Sequence, residues 1–85
     1  MKELKYVIQD PMGLHARPAG QLVKAVAPFN STVTVIAPNG KADAKRLMAI
    51  MRLAAKQGNE LTVQIEGEDE EQAVKELELF LRTNL

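Results

Sequence analysis

Hydrophobic and polar residues alternate at period two in three stretches and recur at about 3.6 residues in others, and the switches between these periods predict the order of elements. Leu4, Tyr6 and Ile8 alternate with Lys5, Val7 and Gln9, which predicts a half-buried strand ended by Asp10-Pro11 and Gly13. Ala19, Leu22, Val23 and Val26 fall on one helical face, so a helix is expected from Ala16 to Ala27, stopping near Pro28, with Arg17, Gln21 and Lys24 on its other face. Val33 and Val35 alternate with Thr32, Thr34 and Ile36 in a second strand. Pro38-Asn39-Gly40 predicts a hairpin turn into a short third strand from Lys41 to Ala44. Arg46 to Ala55 lacks Gly and Pro, and a short helix there would bury Ile50 and Leu53 and close at Gln57-Gly58-Asn59. Leu61, Val63 and Ile65 against Thr62, Gln64 and Glu66 give the clearest strand, ended by Gly67. Asp69 followed three residues later by Gln72 has the spacing of a capping box, and Ala73, Val74, Leu77, Phe80 and Leu81 line the helix that follows.

The predicted order is therefore β-α-β-β-α-β-α. Strands that alternate apolar and polar residues have one face to bury and one to solvate, so the expected class is α+β: a four-stranded antiparallel sheet with three helices on one face, an open-faced sandwich.

Composition narrows the function more than the fold. With 85 residues the chain fits one domain, residues 1 to 85, burying roughly 60% of its unfolded surface, so any function must sit on the surface. There is no cysteine and only one histidine, so no disulfide framework, structural metal or redox cofactor is expected. The longest apolar run is the five residues Leu47 to Met51, too short for membrane insertion, and Met1 to Tyr6 lacks the apolar stretch of a signal peptide; the expected location is the cytoplasm. Net charge is zero, yet residues 1 to 58 carry nine Lys/Arg and three Asp/Glu, whereas residues 59 to 85 carry two and eight. The basic part is either an ordinary solvated face or a surface for an acidic partner, and the acidic end argues against wrapping nucleic acid.

The segment richest in chemistry is Gly13-Leu14-His15-Ala16-Arg17-Pro18, where the only histidine stands at the predicted start of the first helix. A helix start exposes unpaired N–H groups and a partial positive charge, and with a guanidinium two residues on it favours a phosphate-sized anion. Phosphoryl transfer needs positioning and charge stabilisation more than covalent help, so an imidazole, a guanidinium and backbone amides suffice. Gly13 permits a close approach, Pro18 suits the first turn, and Gly20 leaves room beside the ring. On these residues alone an anion site and a plain capping or solvated histidine both stand. Leu47, Met48 and Met51 lie on the side of the short helix away from Ile50 and Leu53, either as additional core or as an exposed, adaptable docking surface.

This constellation resembles the HPr family, the histidine-containing phosphocarriers of the bacterial phosphoenolpyruvate-dependent sugar phosphotransferase system. The likeness runs along the whole chain: Gly-Leu-His-Ala-Arg-Pro-Ala-Gly at 13 to 20, the Asn39-Gly40-Lys41 turn, Ala44-Lys45, Gln57-Gly58, and Glu66-Gly67-Glu68-Asp69-Glu70. The resemblance implies strand order 1-4-2-3 and a carrier, not an enzyme with turnover of its own. His15 would accept a phosphoryl group on Nδ1 from phosphorylated enzyme I and pass it to a histidine of a sugar-specific enzyme IIA. Arg17 would be the charge partner, and the amides of Ala16 and Arg17 would cap the phosphoryl oxygens. Leu47, Met48 and Met51 would form the docking patch with Arg17, Gly20, Gln21 and Lys24. No cofactor or metal is implied, and the expected state is a monomer. One residue departs from the pattern of many members from low-GC Gram-positive bacteria: Arg46 stands where they carry a serine phosphorylated by a regulatory kinase.

Within the family, the alternative is a paralogous carrier of a nitrogen-regulatory or other dedicated phosphorelay. A small RNA-binding module would need an exposed stacking platform, but the three aromatics are Tyr6 and Phe80, on predicted core faces, and Phe29, just after the first helix. A hydrolase would need a nucleophile beside its base, and the only serine, Ser31, lies beyond the far end of the helix that begins at His15.

Overall fold

The computed structural model describes residues 1–85. Its elements follow in the order β1 (Lys2–Val7), α1 (Ala16–Val26), β2 (Thr32–Ala37), β3 (Gly40–Asp43), α2 (Leu47–Arg52), β4 (Glu60–Glu66) and α3 (Glu70–Asn84). The strands form one antiparallel sheet in the order β1-β4-β2-β3, with the three helices on one face, as expected. Its register explains the two faces. Leu4 lies opposite Val63, Val63 opposite Val35 and Val35 opposite Ala42, so an apolar row crosses all four strands. The adjacent row, Glu3, Gln64, Thr34 and Asp43, is polar and faces away from the helices.

The core lies between the sheet and the helices, where Leu22, Val26, Val33, Val35, Ile50, Leu61, Val63, Ile65 and Leu77 are fully buried. Each is apolar and on the face its period assigns, so the hydrophobic effect and the local pattern favour the same arrangement. On edge strand β1, Leu4 and Tyr6 are half-buried, and Ile8, just past its end, is fully buried.

Three local expectations are corrected. The hairpin turn is narrower than predicted: Ala37 pairs with Gly40 around Pro38-Asn39, and β3 ends at Asp43. α2 stops at Arg52, well before Gln57-Gly58-Asn59, because Ala54 takes a left-handed conformation with φ +48°. The side-chain amide of Asn39 donates to the carbonyl of Leu53 at 3.1 Å and ties this helix end to the hairpin. The third concerns Asp69, which begins α3 but makes no side-chain cap, so the box with Gln72 does not form. Its carboxylate instead accepts the N–H groups of Asn30 at 2.8 Å and Ser31 at 2.9 Å, and the Ser31 hydroxyl. The hydroxyl bond and then the Asn30 N–H hold the Asp69 carboxyl below its ordinary value. Glu70 takes over part of the capping by accepting the Gly67 N–H at 3.2 Å, and that bond together with the chain's N-terminal ammonium also lowers its pKa.

Candidate functional site

His15 is the N-cap of α1, with extended backbone (φ −90°, ψ −174°), and its side chain makes no capping bond. The ring is therefore free for other chemistry. Its carbonyl accepts the first helical bond, from Ala19 at 3.0 Å, which leaves the N–H groups of Ala16 and Arg17 without an acceptor in the chain. The next residue, Pro18, has no N–H to leave unpaired and its ring is buried. The helix thus opens with two unpaired donors immediately after His15 in the chain. Arg17 is exposed and makes neither a hydrogen bond nor an ion pair.

The loop before His15 is held tightly on both sides. Gly13 (φ +67°) lies so close to the segment after α2 that a Cβ there would stand 2.3 Å from the carbonyl oxygen of Ala55, and the Leu14 N–H donates to that same oxygen at 2.9 Å. Asp10 turns the chain, with its carboxylate accepting the Met12 N–H at 2.8 Å and its carbonyl accepting the Gly13 N–H at 2.9 Å. The Gln57 side chain donates to the carbonyl of Gln9 at 3.0 Å, and the carbonyl oxygen of Leu85 accepts the N–H groups of Gln9 and Asp10 at 2.6 and 2.9 Å. These bonds give His15 a rigid support although it sits at a loop–helix junction.

An open cleft of about 240 Å³ lies beside the ring, lined by Asp10, His15, Arg17, Pro18, Gln21, Thr83 and Asn84. Apart from Pro18 its lining is polar, which suits a hydrated ligand better than an apolar one. Sequence reasoning found His15, Arg17 and Gln21 but missed Asp10, Thr83 and Asn84. Asp10 was legible only as a turn residue. Thr83 and Asn84 come from the far end of the chain and reach the cleft because α3, fifteen residues long, spans about 22 Å.

The remaining residues of interest are on the outer surface of the helical layer. α1 packs against α2, with Gln21 and Lys24 exposed on the first and Gly20 half-buried and with free space above it. On α2, Leu47, Met48 and Met51 are 40%, 61% and 38% exposed, while Ile50 and Leu53 face the core. The alternative of additional core for these three is therefore excluded. Met12, also strongly exposed, was not singled out from sequence; it precedes Gly13 on the same loop that abuts the end of α2. Arg46 is the exposed N-cap of α2 and offers no side-chain acceptor to that helix. No group of three His, Cys, Asp or Glu side chains is placed to hold a metal ion, and no helix is long and apolar enough to cross a membrane.

A family model described as the PTS HPr component phosphorylation site matches residues 2–83. The phosphocarrier protein HPr of Lysinibacillus sphaericus is 43% identical over 81 residues, covering 95% of this chain and 92% of that protein. The corresponding protein of Haemophilus influenzae is 45% identical over 71 residues, covering 84% of each. Among solved structures, the histidine-containing phosphocarrier protein of a mycoplasma superposes with a TM-score of 0.93 at 35% identity, covering 96% of this chain and 93% of that one. An HPr from Thermoanaerobacter tengcongensis superposes with a TM-score of 0.90 at 41% identity, covering 98% and 93%.

Proposed function

The chain belongs to the HPr family of phosphocarriers, and from that premise we propose that His15 carries the phosphoryl group and that the open end of α1 holds it. A member of this family shuttles phosphoryl groups between enzyme I and enzyme IIA of the phosphotransferase system and has no turnover of its own. The observation that carries the residue assignment is the pair of unpaired N–H groups of Ala16 and Arg17 that follow a histidine whose side chain makes no hydrogen bond.

In this reading the Nδ1 lone pair of His15 attacks phosphorus as the bond to the donor breaks, and the donor keeps that electron pair. The phosphoryl oxygens then accept the Ala16 and Arg17 N–H groups, and the Arg17 guanidinium, free of other partners, offsets their charge. Two backbone donors and one exposed cation make a moderate cradle. That suits a carrier, because a phosphoryl group bound too strongly would not leave. Enzyme I and enzyme IIA would dock on Leu47, Met48 and Met51 together with Arg17, Gly20, Gln21 and Lys24. We further propose that residues 1–85 act as one domain, as a monomer in the cytoplasm. With Arg46 in place of a serine, the start of α2 has no hydroxyl for a regulatory kinase and stays docking-competent.

The test is incubation with enzyme I, phosphoenolpyruvate and magnesium ions, followed by detection of an acid-labile adduct. His15→Ala should abolish it without unfolding the protein, since the side chain makes no cap. Arg17→Ala should slow transfer without abolishing it. An adduct of normal yield on the His15→Ala protein would exclude the assignment.

A further inference from the structure

All four methionines of this chain, Met1, Met12, Met48 and Met51, are exposed, and none serves the core. Methionine usually fills irregular gaps inside a protein, and here the buried core is built from Ile, Leu, Val and Ala, with Tyr6, Phe29 and Phe80 packed against it. Three of the four are on two segments that are joined in space, the loop before His15 and α2. Met12 (72% exposed) is on the loop that leads into His15, and Met48 and Met51 are on α2, the helix whose trailing segment supports that loop. Met1 (67% exposed) is elsewhere, beside Thr32, Thr34, Gln64 and Glu66 on the open face of the sheet. The chain has no cysteine that would take up an oxidant first.

We propose that Met12, Met48 and Met51 are an oxidation site through which a hydroperoxide shuts off docking without unfolding the protein. The inference rests on the reading of this surface as the docking patch. The chemistry needs only the peroxide: the thioether sulfur attacks one peroxide oxygen, the O–O bond breaks, and the oxygen stays on sulfur as a sulfoxide. The sulfur gives up two electrons, and hydrogen peroxide leaves as water. Sulfoxide reduction by a dithiol through methionine sulfoxide reductases reverses the change.

The physical effect follows from where these side chains sit. A thioether on a docking surface gives up little hydration when a partner covers it, whereas a sulfoxide oxygen must lose its water where the partner's surface is matched to an apolar side chain. Each covered sulfoxide should weaken association about tenfold, the factor that corresponds to about 1.4 kcal/mol. The fold should respond little, because all three residues are exposed and outside the buried core.

The experiment treats the full chain with hydrogen peroxide, maps the sulfoxides by peptide mass spectrometry, and measures kcat/KM for phosphoryl acceptance from phosphorylated enzyme I together with thermal unfolding. Each sample is compared with its own untreated form. The wild type should lose at least tenfold in kcat/KM with little change in Tm, and reductase treatment should restore it. The variant carrying Met12→Leu, Met48→Leu and Met51→Leu should lose little under conditions that still oxidise Met1. Wild-type protein that is oxidised at all three positions yet transfers normally would overturn the proposal, as would a triple variant that loses as much as the wild type. Met48→Glu separates the two readings. If that variant docks normally, the docking patch itself is wrong; if it docks poorly while the sulfoxides do not, only the oxidation proposal fails.

Discussion

Gly13→Ala adds one methyl group where the structure leaves no room for it. The new Cβ would stand 2.3 Å from the Ala55 carbonyl oxygen and 2.9 Å from the Lys56 Cα, both backbone atoms that cannot rotate aside. Ordinary contact begins at 3.4 Å, so the loop and the segment after α2 must separate by about 1 Å. Alanine at φ +67° costs about 1 kcal/mol, relief of the overlap about 1 to 3, and a weakened Leu14 to Ala55 bond about 1 more. The expected loss is about 3 to 5 kcal/mol, a large share of the roughly 4 to 13 that a chain of this length has in total. Urea unfolding followed by circular dichroism would show it as a midpoint lowered by about 2 to 4 M. His15 rides on the displaced loop, and an error of about 1 Å in a reacting group lowers a rate by up to about 10²-fold, so phosphoryl acceptance per folded molecule should fall as well. Gly67→Ala is the control, because its Cβ would meet Ser31 Cα at 2.6 Å in a backbone with φ +154°, away from His15. It should destabilise the fold while leaving transfer by the folded fraction intact. A Gly13→Ala protein within about 1 kcal/mol of wild type and with normal transfer would refute the reasoning.

Gly20→Ala should raise stability by about 1 kcal/mol, because its Cβ meets nothing within 4 Å and alanine is the better helix former; the same methyl group should weaken docking to enzyme I, measured by titration calorimetry. Ala54→Gly should raise stability by about 0.5 to 1 kcal/mol in a denaturant titration, since relief of the left-handed strain at φ +48° outweighs the added chain entropy. Asp69→Asn should be less stable than wild type at neutral pH, and the difference should shrink as pH falls. The Asp69 carboxyl is held below its ordinary value of 3.8, so its contribution is complete above that value and is lost as pH drops through the lower, folded value. Denaturant titrations of both proteins at a series of pH values test this; a gap that persists unchanged well below pH 3.8 would exclude the carboxylate as its source.

The strands were legible because their cause is local. Leu61, Val63 and Ile65 alternate with polar residues, and a one-residue slip would turn all three to solvent, so pattern and burial coincide. The core stripe of α1 and the position of His15 at its start were legible for the same reason. The strand order came from the family resemblance, since periodicity says which face of a strand is buried but not which strand it pairs with.

What escaped the sequence depends on partners far along the chain. Asp69 and Gln72 have the spacing of a capping box, yet Asp69 reaches a stronger set of donors at Asn30 and Ser31, 39 and 38 residues away. No local rule places an alanine in the left-handed region, so the end of α2 at Arg52 comes earlier than the sequence pattern predicts; past it, at Leu53 and Ala54, the chain turns to meet the Asn39 amide and the Gly13 loop. The ambiguity over Leu47, Met48 and Met51 had the same origin. Helical spacing places residues on a face, but only the packing of α2 decides which face is covered, and it covers that of Ile50 and Leu53. The residue types of the site were thus set by local sequence, and the cleft around His15 by tertiary structure, because Thr83 and Asn84 line it only once α3 has packed along α1.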